Sequence, residues 1–266
     1  MYPFTLHWSI LGHGFEFGPY TLFFLLAAVT AFVGSFFFSV RRGFKGKKVL
    51  IVLLVMLLLA VVGARLLNAM IHLNLYTKDP ERLFELSATG FSLYGGILMA
   101  TVSGYLTCKM LRINPFKLGD TFIPFLGIGI ALMRVGCFLN GCCFGKETDL
   151  PWAVKFPLLS PAHLYQMTLY GNLMDVRVVH PTQLYELIAV LLLSAFSFFA
   201  LKRKWADGTV LFIFLTAFSL FRLFNSYLRV NPLPLSAPSF FYPLLYLSII
   251  VFGMVFIWKR NTAKKD

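Results

Sequence analysis

Residues 41–70 read RRGFKGKKVLIVLLVMLLLAVVGARLLNAM. Five cations crowd the first eight positions, and residues 49–70 follow as a nearly unbroken apolar run. A helix needs roughly 20 apolar residues to cross the hydrocarbon of a bilayer, and this run supplies them. The cations in front of it are the mark of a cytoplasmic flank. The run also carries Arg65, which lipid accepts only at a cost of about 2.5–3.5 kcal/mol at mid-bilayer. One stretch thus predicts a membrane helix and a polar reason for its far end.

The same pattern repeats along the chain. Of 266 residues, 58% are hydrophobic and 13% charged, with 30 Phe and a mean hydropathy of +0.76. A soluble domain carries about a quarter charged residues, so this deficit puts most of the chain in lipid. Seven stretches are predicted to span: Tyr20–Val40, Val49–Met70, Gly90–Cys108, Leu118–Phe138, Pro181–Leu201, Thr209–Leu228 and Ser239–Trp258. The third and fourth are interrupted by Gly and polar residues. The expected fold is an all-α integral membrane protein, a single transmembrane domain over 1–266 with an external segment at about 139–180.

Orientation follows from the cations. RRGFKGKK, KMLRINPFK, KRK and KRNTAKK hold 15 of the 24 Lys and Arg residues, and they lie on alternate loops of one side. The positive-inside rule places those loops and the C-terminus in the cytoplasm and the N-terminus outside. The net charge of +13 therefore does not indicate nucleic acid, which would require a contiguous basic face. MYPFTLHW lacks the positive n-region of a cleavable signal peptide. Four cysteines are too few for a disulfide scaffold.

Four arginines lie in or at the edge of the spans: Arg65, Arg134, Arg222 and Arg229. Arg229 at the outer edge can snorkel to the interface. Arg134 and Arg222 lie deeper and at a shared depth, so they require an anion. Glu186 in HPTQLYE and Glu16 are the carboxylates at that level. Glu186 could pair with one arginine as structural glue. A single carboxylate leaves positive charge over, which points to a phospholipid headgroup or another anionic ligand. Ser92, Tyr94, Gly95, Gly96, Asn140, His180, Gln183 and Tyr185 share the same outer half. The glycines of GFSLYGG also fit ordinary small-residue helix packing.

RVGCFLNGCCFG, residues 134–145, sets three thiols beside Arg134. The spacing C-x4-C-C lacks the C-x2-C pairs of a structural zinc site, so no metal is expected. A disulfide from Cys137 to Cys142 or Cys143 could staple the turn. Small apolar filling of a tight turn is the other main reading. A thiol activated by the neighbouring cation is a further one.

Taken in order, GPYTLFF, GARLLN, GFSLYGGIL, RVGCFLNGCCFGKETDLPWAVKFP, HPTQLYE and FRLFNSYLR resemble the motifs of the bacterial prolipoprotein diacylglyceryl transferase family. The resemblance covers most of the chain. It implies a multi-pass enzyme of the bacterial inner membrane, with no cofactor. Its partners would be phosphatidylglycerol, prolipoprotein signal peptides and the bilayer. The family moves the diacylglyceryl group from that lipid to a lipobox cysteine thiol, forming a thioether and releasing glycerol phosphate.

Carried over by position, Arg134 and Arg222 would hold the phosphate. Glu186 and His180 would orient the site, and Tyr20 would line the lipid cavity. Asn140 and Gly145 lie in the matched signature. Arg65, Gly95, Gly96, Gln183, Tyr185 and Arg229 fall in the other matched segments and join the expected substrate-binding set. The departures are specific. Tyr94 stands where the family's histidine stands, with an ordinary phenol pKa near 10. Met133, Cys137 and Cys142 replace the signature's Gly, Asn and Glu, and Ser226 replaces an acid in the second arginine motif. A lipid transferase with another acceptor, or a non-catalytic lipid-binding membrane protein, are the alternatives.

Overall fold

The computed structural model describes residues 6–10, 13–78, 81, 91–171, 176–230 and 240–262. It contains a hairpin and nine helices among the described residues. The hairpin pairs β1 (Leu6–Ile10) with β2 (His13–Phe17), antiparallel, with Leu6 opposite Phe17. Apart from this small hairpin, the regular elements among the described residues are helices, in line with the expected all-α membrane fold. The helices are α1 (Pro19–Arg41), α2 (Gly46–Ile71), α3 (Leu73–Lys78), α4 (Leu93–Met110), α5 (Pro115–Asn140), α6 (Pro161–Tyr170), α7 (Thr182–Ala200), α8 (Thr209–Leu228) and α9 (Phe241–Thr262).

Six of these, α1, α2, α5, α7, α8 and α9, are long and apolar enough to cross a membrane. The predicted third span corresponds to α4, which is 18 residues long. Its Gly, Ser, Thr and Tyr residues dilute its hydropathy, and it is not among the six. The predicted third and seventh spans begin at Gly90 and Ser239, which lie outside the described residues, as do Lys264 and Lys265 of the last basic cluster and the side chain of Glu16.

The chain divides into two compact units: one from the stretches up to Ser35 and from Phe122 onward, the other from Phe36 to Thr121. In the second unit, α2 and α4 meet along a seam of small residues. A Cβ on Gly63 would lie 2.6 Å from the carbonyl oxygen of Gly95, and one on Gly96 would lie 3.2 Å from that of Ala60. Backbones approach this closely only where side chains are missing, which is how apolar helices associate without a hydrophobic driving force. The N–H of Ser92 donates to the Ala64 carbonyl at 2.9 Å, fixing where α4 begins.

In the first unit α5 is the central helix. Half of its most apolar window is buried, against 11% for α1. Gly129 approaches the Ala27 carbonyl on α1, with 3.1 Å left for a Cβ, and Gly136 sits against Phe23 and Tyr20. Gly127 faces Ser194 of α7 and Phe214 of α8. Helices α7, α8 and α9 pack side by side in chain order.

The burial pattern is inverted relative to a soluble protein. Phe24, Val29, Leu58, Leu192, Phe224 and Phe252 are exposed, whereas Gln183, Glu186, Ser194, Ser219 and Asn225 are buried. Apolar side chains on the outside and polar ones inside are what lipid demands of a bundle.

The segment between α5 and α7 has a core of its own, Phe144, Phe156, Ala162 and Val179, with Phe138, Val154, Tyr165 and Val230 packed against it. Helix α6 is well delimited. Ser160 caps it by accepting from the His163 N–H at 3.2 Å, Pro161 opens it, and Gly171 closes it at φ +67°.

Candidate functional site

The site grows from helical spacing. Arg134 and Cys137 are three residues apart on α5, Gln183 and Glu186 three apart on α7, and Arg222 and Asn225 three apart on α8. Residues at that spacing share a helix face. In each helix this polar face turns inward.

Both deep arginines meet on Glu186, whose side chain is 2% exposed. Arg222 donates from Nη1 to Oε2 at 2.7 Å. Arg134 brings Nε to 2.8 Å from Oε1. That second contact is ionic without hydrogen-bond alignment, so neither Arg134 Nε nor Glu186 Oε1 is satisfied as a hydrogen-bonding atom. Arg222 also donates to the Tyr246 hydroxyl from Nε at 3.1 Å and from Nη2 at 2.8 Å. Glu186 as structural glue for one arginine was one of the readings open from the sequence; its carboxylate is shared by two. The cluster keeps positive charge after the pairing, because one carboxylate faces two guanidiniums.

The turn after α5 is fastened to the start of α7. Thr182 Oγ1 donates to the Cys143 carbonyl at 2.7 Å, and Gln183 Nε2 donates to the Cys142 carbonyl at 2.6 Å. Beyond it, residues 144–146 run between two other backbone segments. Gly145 N–H donates to His180 O at 2.9 Å, Lys146 N–H to Leu228 O at 2.7 Å, and Val230 N–H to Phe144 O at 3.1 Å. A Cβ on Gly145 would lie 2.9 Å from both the His180 and the Leu228 carbonyl oxygens. Gly145 is thus the residue that lets three segments close on one another. Asn140 ends α5 immediately before this turn.

Arg229 caps α8 and bridges to Gly145. Its Nε is buried and has no hydrogen-bond partner among the described residues. Its partly buried side chain lies within electrostatic reach of Cys143. His180 Nδ1 lies 3.2 Å from the Tyr185 hydroxyl, which accepts from Trp152 Nε1 at 2.7 Å. Tyr20 is half-exposed, stacked on Phe24, and within electrostatic reach of Arg134 and the three cysteines.

All four cysteines are free thiols, so neither disulfide pairing is formed. The Sγ atoms of Cys137, Cys142 and Cys143 nevertheless lie within 4.8 Å of one another. Arg134 Nη1 is 3.7 Å from Cys137 Sγ. Hydrogen bonds from the Cys137 and Cys142 thiols, with help from Arg229 and Arg134, hold Cys143 well below the usual thiol range against the opposing effect of burial.

Arg65, Tyr94, Gly95 and Gly96 belong to the other unit. Arg65 is buried between the rings of Tyr76 and Phe91, 5.7 and 5.1 Å from their centroids. Gly95 and Gly96 lie in the seam with α2, and Tyr94 beside them is partly exposed. Packing thus accounts for both glycines.

An open cavity of about 340 Å³ lies over the turn, lined by Phe144, Gly145, Lys146, Glu147, Tyr165 and Gln166 among others. Arg134, Arg222 and Glu186 do not line it, so its size is no guide to the chemistry. Sequence reading missed Tyr246, a lone phenol in an apolar helix with no local signal. It also missed Asn225, whose polar side chain inside the eighth helix was a usable one. Asn225 Nδ2 donates to the Thr182 carbonyl at 3.4 Å.

Fold and site together define a multi-pass helical membrane protein with a buried cluster of two arginines on one carboxylate. Residues 8–259 match the prolipoprotein diacylglyceryl transferase family, and the chain belongs to it. A phosphatidylglycerol–prolipoprotein diacylglyceryl transferase of Finegoldia magna is 26% identical over 250 residues, 93% of each chain. The enzyme of that name from Parasynechococcus marenigrum is 30% identical over 235 residues, 84% of this chain and 81% of the other. The one from Clostridium tetani is 28% identical over 196 residues, 73% of each.

Proposed function

We infer that this chain is a transferase of lipoprotein biosynthesis that moves the diacylglyceryl group of phosphatidylglycerol to the cysteine thiol of a prolipoprotein. The observation that carries the chemistry is the pair of guanidiniums held on one buried carboxylate. The acceptor thiol loses its proton to a base, and its sulfur attacks the glyceryl carbon that carries the phosphate. The C–S bond forms as the C–O bond breaks. Glycerol phosphate leaves with the bonding pair, and the product is a thioether. Negative charge grows on the departing phosphate, so fixed cations in a dry site lower the barrier most.

Arg134 and Arg222 hold that phosphate. Glu186 and Tyr246 fix where the guanidiniums point, and Arg229 adds a third cation at the turn. Tyr94 takes the position of the family's histidine and is the residue assigned to the acceptor thiol. Tyr20 lines the lipid cavity, while Asn140, Gly145, His180, Gln183 and Tyr185 shape the turn around the headgroup. Arg65, in the unit that holds α2 and α4, is a further residue proposed to bind substrate.

In this reading α4 is a seventh crossing of the bacterial inner membrane. The N-terminus and the segment at about 139–180 face outward, where the acceptor is the lipobox cysteine of a signal peptide. The four basic clusters on alternate loops support that orientation.

The test uses the full chain purified in detergent, phosphatidylglycerol labelled in the glyceryl carbons of its diacylglyceryl group, and lipobox peptides ending in Cys or Ser. Label should pass to the Cys peptide as a base-stable thioether, with one glycerol phosphate released per transfer, and should not pass to the Ser peptide. Absence of transfer to the Cys peptide, where a reference enzyme succeeds, overturns the assignment.

A further inference from the structure

Cys137, Cys142 and Cys143 are not required by the reaction just described. Their Sγ atoms lie within 4.8 Å of one another. Three thiolates at a zinc–sulfur distance of about 2.3 Å stand about 3.8–4.0 Å apart, whether the ion is tetrahedral or trigonal. The contraction needed is within the reach of χ1 rotation. The backbone beneath is already fixed. Thr182 and Gln183 hold the Cys142 and Cys143 carbonyls, and Cys143 itself adopts φ +63°, a left-handed conformation uncommon for a residue with a side chain.

Charge points the same way. Three thiolates around a divalent ion leave one net negative charge in a half-buried place. Arg134 Nη1 donates toward Cys137 Sγ at 3.7 Å, and Arg229 lies within electrostatic reach of Cys143. Such donors to ligating sulfur are the outer-shell partners that thiolate metal sites use. Cys137 is buried while Cys142 and Cys143 are partly exposed, so the cluster is not sealed from outside.

We propose that Cys137, Cys142 and Cys143 form a three-thiolate site for a soft d10 cation of the zinc and cadmium class. Binding exchanges S–H protons, released to solvent, for three metal–sulfur bonds, with no change of oxidation state. The sequence spacing gave no hint of it, because the sulfurs are gathered by the turn and not by paired C-x2-C knuckles.

The experiment titrates the reduced full chain in detergent with Cd²⁺ under anaerobic conditions. One equivalent should bind, with a thiolate-to-cadmium charge-transfer band that zinc suppresses by competition. C137S, C142S and C143S should each weaken binding about tenfold or more, and C108S should not. Should the serine variants fail to fold, cysteine alkylation of the wild type still decides. Bound Cd²⁺ should slow labelling of Cys137, Cys142 and Cys143 together, read by peptide mass mapping. No charge-transfer band, equal binding by the triple variant, or unchanged labelling would overturn the proposal.

Discussion

Replacing Glu186 by Gln removes one negative charge and almost no volume. The carboxylate is 2% exposed and faces Arg222 Nη1 at 2.7 Å and Arg134 Nε at 2.8 Å. With charge centres about 4 Å apart, each attraction is about 4 kcal/mol at an effective dielectric of 20. Desolvation offsets much of that in the intact cluster, but not in the variant, where two buried guanidiniums repel each other unopposed. Breaking a buried ion pair costs about 3–5 kcal/mol. E186Q should therefore lower the melting midpoint in detergent by an amount equivalent to that range.

Transfer to the lipobox peptide should fall about 100-fold, because displaced arginines no longer meet the phosphate in register. A second substitution separates charge from packing. Adding R134Q to E186Q removes one of the unpaired cations and should recover part of the stability, so the two changes will not add. If E186Q melts like the wild type and keeps its rate, the shared carboxylate does not hold the arginines, and the reasoning fails.

Four further outcomes follow from the same geometry. R134A and R222A should each reduce transfer about 100-fold or more while the protein still inserts and purifies, which membrane fractionation beside the peptide assay will check. Y246F removes the acceptor for Arg222 Nε and Nη2; it should cost about 1.5–3 kcal/mol of stability by thermal melting, the range for hydrogen bonds to charged groups. G145A places a methyl group 2.9 Å from two carbonyl oxygens, and should lose activity and expose the turn to protease. R177A breaks the Arg177–Glu147 pair at 3.1 Å, whose side chains are 42% and 36% exposed; the melting midpoint should move by no more than about 1 kcal/mol.

The sequence by itself determined the apolar helices, because a 20-residue run without charge has one physical reading in lipid. Five were legible as continuous runs; the fourth, like the third, is interrupted by Gly and polar residues. The third span was harder, because the residues that let α4 lie against α2 (Gly95, Gly96 and Gly104) are among those that dilute its hydropathy. The need for an anion near Arg134 and Arg222 was also legible, since cost attaches to each arginine alone. Helical spacing even marked the faces, as in Gln183 with Glu186.

Tertiary structure alone decided what those faces meet. That Arg134 and Arg222 share one carboxylate joins residues 134, 186 and 222 on three helices, and no local pattern encodes a three-way contact. Tyr246 was invisible for the same reason: its hydroxyl acquires meaning only when α9 packs on α8. Gly145 was read as a motif residue. Its role comes from two carbonyls contributed by His180 and Leu228, far apart in the chain. The three thiols looked wrongly spaced for a cation. Spacing along the chain measures backbone separation, and a turn closed by Thr182 and Gln183 sets the sulfurs within 4.8 Å regardless of it.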